Sequence, residues 1–410
     1  MHLRIETKLA TPAQVEKYFI KRRSEEAYYC ENQEFNGFWG GRGAKLLGLK
    51  DYMANEEFSR LCNNLHPVTG EQLTPRMKDK RRIGYDFNWN CPKSISLAYA
   101  YTRDERIIQA VRQAIRDTME ELEQMAATRV RKDGRDEDRK TRNIAYAEFV
   151  HLTARPEGGI PDPHLHWHCY VFNATWDDVE KQFKAVQLGN VKKHGESFEE
   201  TCGIRVRENL KKLGLEFVKT ENGYEIGGIS KELRDKFSQR TKTIEEYAKK
   251  LGITDPAEKA KLAALTRENK NGELTIPELG RHWWPRLSAK EKEALDGIGA
   301  VLKRSRAAEL SREMVGGTVG FAGESSKALG TRNKLPKAQA REIAASSNSL
   351  GTKREAKGAV TRRRQSMNQK TRPGPAVNEA VKATEHDWRA VGLVVEHLLE
   401  RESVVTEQAG

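Results

Sequence analysis

The sequence has few cysteines and no long hydrophobic run. The five cysteines are scattered through 410 residues with no CxxC pair: Cys30, Cys62, Cys91, Cys169 and Cys202. This spacing excludes a dense disulfide scaffold, and no signal peptide is recognised, so we expect a reduced, cytoplasmic protein. The apolar runs fall well short of the roughly 18 residues that would indicate a membrane span. We therefore expect no membrane insertion.

Positive charge is concentrated in one segment. The formal net charge is +13, and between Lys303 and Arg372 there are 17 Lys and Arg against 5 Glu, a net of +12 that leaves about +1 elsewhere. Such a segment predicts an anionic partner, and contacts with DNA phosphates would add salt-sensitive affinity independent of base sequence. The alternative is a flexible spacer with incidental charge.

Composition divides the chain into three regions. Residues 1–300 alternate strand and helix patterns and predict one folded domain. Residues 301–376 are rich in Ser, Gly, Ala, Thr, Lys and Arg and poor in large apolar side chains, which predicts a basic, disordered linker because little surface can be buried. Residues 377–410 regain an amphipathic helical period. We interpret this short segment as the start of a further region.

Local patterns place the first elements of the folded domain. LRIETK alternates as a strand, and a helix opens at Pro12 with Thr11 as its N-cap, which puts Tyr18 on a helix. Residues 81–100 are interpreted as a strand, followed by a long amphipathic helix from Asp104. On that strand a polar face (Asp86, Asn88, Asn90) is expected opposite an aromatic face (Tyr85, Phe87, Trp89).

A histidine cluster is the sharpest chemical signal. His164, His166 and His168 occupy alternate positions of a strand-like run, so their imidazoles are predicted to share one face. Imidazoles that converge from one side can bind a first-row cation and leave coordination positions open. A lone histidine is more often a packed or surface residue, but three at this spacing favour metal. His151 lies on the preceding predicted strand, and the turn-rich PEGGIPDP makes the two strands an antiparallel pair.

Strands interrupted by long helices in this irregular order predict an α+β fold rather than a doubly wound parallel sheet. A cation beside a tyrosine would suit cleavage of a phosphodiester, because the cation neutralises phosphate charge and a phosphotyrosine link can be reversed. The candidate nucleophiles are Tyr18, Tyr28 and Tyr29. Asp86 is a candidate to fix the tautomer of a histidine, and the alternative is a solvated or salt-bridged aspartate without a functional role.

Taken together, these segments resemble a known family. The motifs are KYF and AYY near the amino terminus, then RRIGYDFNWNCPKSISL, AEFVHLTARP and DPHLHWHCYVFNATW. In this order, over about residues 1–300, they resemble the relaxase domain of the MobF-type conjugative relaxases (TrwC/TraI group) of the HUH endonuclease superfamily. The resemblance implies a central antiparallel β-sheet flanked by helices. It also implies metal-dependent nicking of one strand at a transfer origin, a 5′-phosphotyrosine intermediate and later religation.

The resemblance also implies roles for individual residues. Tyr18 would be the nucleophile, and Asp86 would orient a histidine or take the tyrosine proton. The metal ligands would be His151, His166 and His168 rather than three histidines of one strand, which leaves His164 as a neighbour or a DNA contact. Tyr28 or Tyr29 would match a second tyrosine pair used in a second strand transfer. The expected cofactor is a divalent cation, Mg or Mn, with Zn as the alternative.

Further expectations concern DNA and protein partners. The candidate DNA-contact residues in matched segments are Lys93, Ser94, Arg76, Arg81, Arg82 and Arg240, with solvated charge as the alternative for each. The expected partners are single-stranded and origin-of-transfer DNA, accessory relaxosome proteins and a coupling protein. No Walker motif occurs, so a separate helicase is expected, and the chain is interpreted as either a truncated relaxase or one half of a split gene. The functional alternatives are a rolling-circle replication initiator, a transposase-like HUH nuclease, or a DNA-binding protein with a degenerate site.

Overall fold

The computed structural model describes residues 1–6, 11–21, 37–76, 81–221, 223–266, 274 and 276–316. By contact density the chain divides into two compact units, Met1–Met314 and Val315–Gly410. The first unit contains nearly all of the described residues. Tyr28, Tyr29, residues 317–376 of the predicted linker and the amphipathic segment 377–410 lie outside them.

The centre of the first unit is a five-stranded sheet in which every neighbouring pair is antiparallel. Its strands, in spatial order, are β1 (His2–Glu6), β3 (Gly84–Asn90), β7 (Ile160–Phe172), β6 (Tyr146–Glu157) and β2 (Phe38–Gly40). Smaller sheets contain β4 (Ala127–Lys132), β5 (Arg135–Lys140), β8 (Thr175–Asp177), β9 (Gln182–Lys184), β10 (Val186–Gln187), β11 (Phe217–Thr220) and β12 (Gly223–Ile226). The two longest strands, β6 and β7, form a hairpin that turns at Gly158 and Gly159, both at positive φ.

Helices surround this sheet. The first is α1 (Pro12–Glu16), which continues as a π-helical turn (Lys17–Lys21). The others are α2 (Arg42–Leu46), α3 (Asn55–Cys62), α4 (Lys93–Thr102), α5 (Glu105–Glu123), α6 (Gly189–Lys193), α7 (Gly195–Lys211), α8 (Lys231–Lys236), α9 (Gln239–Lys250), α10 (Pro256–Leu265), α11 (Ile276–Trp283) with a 3-10 turn (Trp284–Arg286), and α12 (Ala289–Gly316). The predicted α+β fold with a central antiparallel sheet is confirmed.

The sheet separates two hydrophobic cores. On one face, aromatic and aliphatic residues of β3 and β7 pack against α5 and α7; they include Tyr85, Phe87, Trp89, Leu165, Trp167, Ile108, Val111, Ile115 and Val206. On the other face, Phe19, Phe58, Phe149, Tyr170 and Phe172 form an aromatic core. Burial of aliphatic and aromatic surface at about 25 cal/mol per Å² makes these cores the main source of stability. The remaining part of the second face is polar.

Two predicted boundaries differ from the structure. The interpretation of residues 81–100 as one strand was wrong in its second half, because β3 ends at Asn90 and α4 begins at Lys93. Pro92 stands at the N-cap, where it lacks an N–H that a continuing strand would need, and the following apolar run is buried helix rather than strand. In addition, α12 extends to Gly316, past the predicted domain boundary at residue 300, because Leu302 is buried in the core.

Other local predictions agree with the structure. Thr11 is the N-cap of α1, where it forms a reciprocal capping box with Gln14, and Pro12 is the first helical residue. Asp104 caps α5 by accepting from the Arg106 N–H. Within the described residues, no helix combines the length and apolar character needed to cross a membrane.

Candidate metal and nucleophile site

The strand register brings histidines together from two strands. His151 on β6 lies directly opposite His166 on β7, and His168 follows two residues later on the same face. One ligand atom from each of these three residues lies within 4.8 Å of the other two. His164 is not part of this set. The structure therefore assembles the three histidines that the resemblance implied, and three imidazoles at this separation fit a divalent cation with open coordination positions.

Hydrogen bonds orient two of these imidazoles. His168 Nδ1 lies 2.8 Å from Asp86 Oδ1 and 3.1 Å from Oδ2, and both side chains are buried. His166 Nδ1 lies 3.0 Å from the His164 carbonyl oxygen. Because both partners are acceptors, each Nδ1 carries a proton, and Nε2 is the nitrogen of each ring that is left to bind a metal. Burial and the neighbouring imidazoles lower the pKa of His166 well below its usual value, so its ring is neutral.

Tyr18 lies beside this cluster, on the π-helical turn. Its ring centroid is 5.8 Å from that of His168, and the two rings meet edge to face. The next residue, Phe19, is buried and stacks on Phe149 at 4.8 Å, with a further contact to Tyr170 at 4.9 Å. Phe19 thus anchors the turn in the aromatic core and places Tyr18 at the boundary between that core and the histidines. An aromatic residue after Tyr18 has a structural role here.

Tyr18 and the histidines line one cavity of about 490 Å³. Its other polar lining residues are Arg4, Asn88, Asn90, Lys93, Thr153, Arg155, Asp162, His164, Ser238, Arg240 and Thr241. Among the described residues, Asn88 Oδ1 is buried without a hydrogen-bond partner, although it stands opposite His168 in the sheet. A buried acceptor of this kind needs a donor. A metal-bound water beside the imidazoles would supply one, which is a second feature that fits a metal.

His164 has other partners. Its Nε2 lies 3.0 Å from Asn90 Oδ1, and its ring stacks on that of His166 at 4.8 Å with an interplanar angle of 27°. Burial, with the nearby Lys93 ammonium, lowers the pKa of His164 to about 3. The ring is therefore neutral at physiological pH, and any DNA contact would be made without a positive charge.

Lys93 and Ser94 begin α4 at the edge of the cavity. Lys93 Nζ donates to the Pro163 carbonyl oxygen at 2.8 Å, and burial lowers the pKa of this ammonium to about 8. Ser94 is completely buried; its N–H donates to Glu225 and its Oγ accepts from the Ile226 N–H. Ser94 thus joins α4 to β12, whereas Lys93 lines the cavity itself.

The four candidate arginines occupy different environments. Arg240 lines the cavity, but its guanidinium donates to Glu157, Thr266 and the Ala263 carbonyl oxygen. Arg81 donates to the Cys62 carbonyl oxygen, and Arg82 donates to the Tyr85 hydroxyl. Arg76 is exposed. The structure does not bring these four together, and their contact with DNA stays a prediction.

Several cavity residues had not been singled out as site candidates, and Arg4, Asn88 and Arg155 are among them. Arg4 pairs with Asn88 across β1 and β3, and Asn88 pairs with His168 across β3 and β7. Arg155 follows His151 by four residues on β6. A spacing of two residues from Asp86 on β3 could have indicated Asn88. Arg155 lies beyond a register shift in β6, and Arg4 depends on the pairing of strands more than 80 residues apart.

Known relatives share this region of the chain. Two are multifunctional conjugation proteins TraI, one from Escherichia coli strain K12, 31% identical over 258 residues, and one from Escherichia coli, 32% identical over 246 residues. These matches cover 60% and 57% of this chain but only 14% and 13% of the relatives. The matched region is thus about one seventh of the length of each relative.

Solved structures show the same fold. The conjugative relaxase TrwC in complex with oriT DNA aligns in its metal-bound form with a TM-score of 0.61 at 24% identity, over 72% of this chain and 98% of that chain. A metal-free structure of the same complex aligns with a TM-score of 0.60, over 71% and 98%. Residues 12–290, more than half of the chain, also match the TrwC relaxase family model. The chain belongs to the TrwC relaxase family.

Proposed function

We propose that this chain nicks one DNA strand at an origin of transfer by tyrosine transesterification and religates it after transfer. The observation that carries the proposal is the position of Tyr18, whose ring lies 5.8 Å from that of His168 in the cavity that the three histidines line. The family, and the conjugation proteins and oriT-bound relaxases among its relatives, support the same activity. A nucleophile and a metal site in one cavity suit phosphoryl transfer.

Tyr18 is the proposed nucleophile. Its phenolic oxygen attacks the scissile phosphorus, the P–O3′ bond breaks, and the products are a 5′-phosphotyrosine and a free 3′ hydroxyl, with the phenol proton passing to a base or to water. Attack by the 3′ hydroxyl of the transferred strand reverses the step. The anchoring of Phe19 in the aromatic core supports this role because it limits the movement of the π-helical turn.

His151, His166 and His168 are the proposed metal ligands. A bound divalent cation would neutralise charge on the non-bridging phosphate oxygens. Asp86 is a positioning residue in this proposal: it holds His168 with Nε2 directed away from the carboxylate. The expected ion is magnesium or manganese, with zinc as the alternative.

Positive groups around the cavity are proposed to bind the DNA backbone. Arg4, Lys93 and Arg155 line the cavity with the histidines, and a buried ammonium such as that of Lys93 interacts strongly with a phosphate. Arg76, Arg81, Arg82, Arg240, Ser94 and His164 remain weaker candidates for DNA contact. Tyr28 and Tyr29 remain candidates for a second strand transfer.

The cellular compartment and the partners of the protein are also proposals. We place the protein in the cytoplasm, which agrees with the four described cysteines, Cys62, Cys91, Cys169 and Cys202, all being free thiols. The proposed partners are single-stranded origin DNA, accessory relaxosome proteins, a coupling protein and a separate helicase. The basic segment after residue 300 would add sequence-independent DNA affinity.

The test uses labelled single-stranded oligonucleotides tiled across the transfer origin of the replicon that encodes the chain, with manganese or magnesium. The wild-type protein should give a covalent adduct on the 5′ end of the fragment that lies 3′ to one cleavage position. In a Tyr28→Phe/Tyr29→Phe background, Tyr18→Phe should reduce adduct formation by about a thousandfold or more, because no nucleophilic oxygen remains. Tyr52→Phe, which alters an exposed tyrosine outside the cavity, is the matched control.

Adduct formation by the Tyr18→Phe protein in that background would reject Tyr18 as the nucleophile. Salt-dependent DNA binding with no cleavage by the wild-type protein would favour a DNA-binding protein with a degenerate site. Cleavage restricted to a replication origin or a transposon end would favour a replication initiator or a transposase.

A further inference from the structure

His164 lies beside the three clustered histidines without belonging to their set. It is the first residue of the histidine run, yet its ring nitrogen is bound to Asn90, and the ligand atoms that cluster within 4.8 Å come from His151, His166 and His168. Its two connections to His166 are different in kind. The main-chain carbonyl of residue 164 accepts from His166 Nδ1 at 3.0 Å, and its ring lies parallel to the His166 ring at 4.8 Å.

The position of the His164 ring is itself determined by Asn90. Asn90 Nδ2 lies 3.3 Å from the carbonyl oxygens of His2 and Asn88, so the amide nitrogen is the donor to both. Asn90 Oδ1 is therefore the acceptor toward His164, and His164 Nε2 carries the proton. The amide of β3 thus holds the ring of β7 in one orientation.

The held ring restricts His166. The rings of His151 and His168 meet the His166 ring edge to face at 5.0 and 5.3 Å, and His164 covers it by stacking. Without the His164 ring, His166 would keep its hydrogen bond to the main chain of residue 164 and its two edge contacts, but it would lose the stacked neighbour that limits rotation of its ring. The free-energy cost of fixing the His166 ring on metal binding would then weaken the metal affinity.

We propose that His164, held by Asn90, is a positioning residue that preorganises His166 for the metal. The proposal rests on the proposed function only in that the three histidines bind a divalent cation. It does not require that the chain cleaves DNA. It also gives the first histidine of the run a role other than ligand or phosphate contact.

The test measures binding of manganese(II) alone to the full-length, metal-free protein by calorimetry. His164→Ala should weaken manganese affinity about tenfold, at the lower end of the range for residues that orient metal ligands. His282→Ala, an exposed histidine of α11, is the matched control and should keep wild-type affinity. Thermal unfolding of the metal-free proteins separates a positioning role from a general loss of structure, since only the latter would lower the melting temperature substantially.

Two further variants test the chain of contacts. Asn90→Ala should weaken manganese affinity less than His164→Ala, and the double variant should be no worse than His164→Ala, because both changes remove the same support. His164→Phe keeps an aromatic ring against His166 and should bind manganese more tightly than His164→Ala.

Three outcomes would overturn the proposal. They are unchanged affinity in His164→Ala, additive losses in the double variant, and complete loss of manganese binding in His164→Ala, which would make His164 a ligand. Nicking is a separate readout: the loss in His164→Ala should shrink as manganese concentration rises. An inactive wild-type protein that still binds manganese in this pattern would reject the proposed function and retain this inference.

Discussion

The two faces of strand β7 differ in polarity. Leu165, Trp167 and Cys169 point into the hydrophobic core beneath α5 and α7, where each is 1% exposed or less. The residues between them, His166 and His168, face the cavity, and their ring nitrogens bind a carbonyl oxygen and a carboxylate. A single strand therefore presents one face to the hydrophobic core and the other face to the polar cavity.

This difference shows how the site is kept in order. The polar face of β7 continues into the aromatic core through Tyr170, which contacts Phe19 at 4.9 Å. The segment of the proposed nucleophile and the proposed metal ligands are thus both attached to the same packed layer. We expect activity to depend on the polar face and stability on the apolar face, so mutations on the two faces should separate the two properties.

The largest expected effect is on the polar face. His151→Ala removes the proposed ligand from β6 and should reduce metal-dependent nicking about a thousandfold, an effect of roughly 4 kcal/mol on the barrier. His164→Ala should lose far less, because His164 is not one of the three clustered histidines. Rates are measured over a series of manganese concentrations. If the two results were exchanged, the ligands would be the three histidines of a single strand.

The next effect is on the apolar face. Trp167→Ala should lower the free energy of unfolding by about 3–5 kcal/mol, since the indole is completely buried and its removal leaves a cavity. His166→Ala, its neighbour on the same strand, should cost much less stability but lose metal binding. Urea denaturation with and without manganese checks both. Equal stability losses in the two variants would contradict the division between the faces.

A smaller effect is expected at Lys93, which begins α4 at the edge of the cavity. Burial lowers the pKa of its ammonium to about 8 from a usual 10.5, so between these values the unfolded chain binds more protons than the folded protein. The contribution of Lys93 to the free energy of unfolding should therefore rise with pH across this window, by an amount on the order of 3 kcal/mol at most, and it is read from the difference between wild type and a Lys93 variant because the four buried thiols contribute with the opposite sign.

Lys93→Met should remove this contribution and should be more stable than wild type at pH 7.5. The loss of the hydrogen bond to the Pro163 carbonyl oxygen offsets part of that gain. Denaturation at pH 7.5 and pH 10 measures the difference. Lys292→Met, which alters an exposed lysine of α12, is the control and should keep the rise. A stability difference between wild type and Lys93→Met that is the same at pH 7.5 and pH 10 would contradict the lowered pKa.

Much of the fold follows from periodicity. The alternation in β3 and β7 predicted which residues share a face, and the capping pattern at Thr11 predicted the start of α1 correctly. The error after Pro92 has a physical cause: a short run of buried apolar residues such as SISLAYA has no clear period, so strand and buried helix cannot be distinguished by pattern.

By itself the sequence determined that His166 and His168 share a face, because side chains alternate along any strand. It also determined that Asp86, Asn88 and Asn90 share a face. Only the tertiary structure decided that β7 pairs with β6 in the register that sets His151 against His166, and with β3 so that Asp86 reaches His168. A metal site needs ligands from several directions, and those directions are set by pairing between segments distant in the chain, which no local pattern encodes.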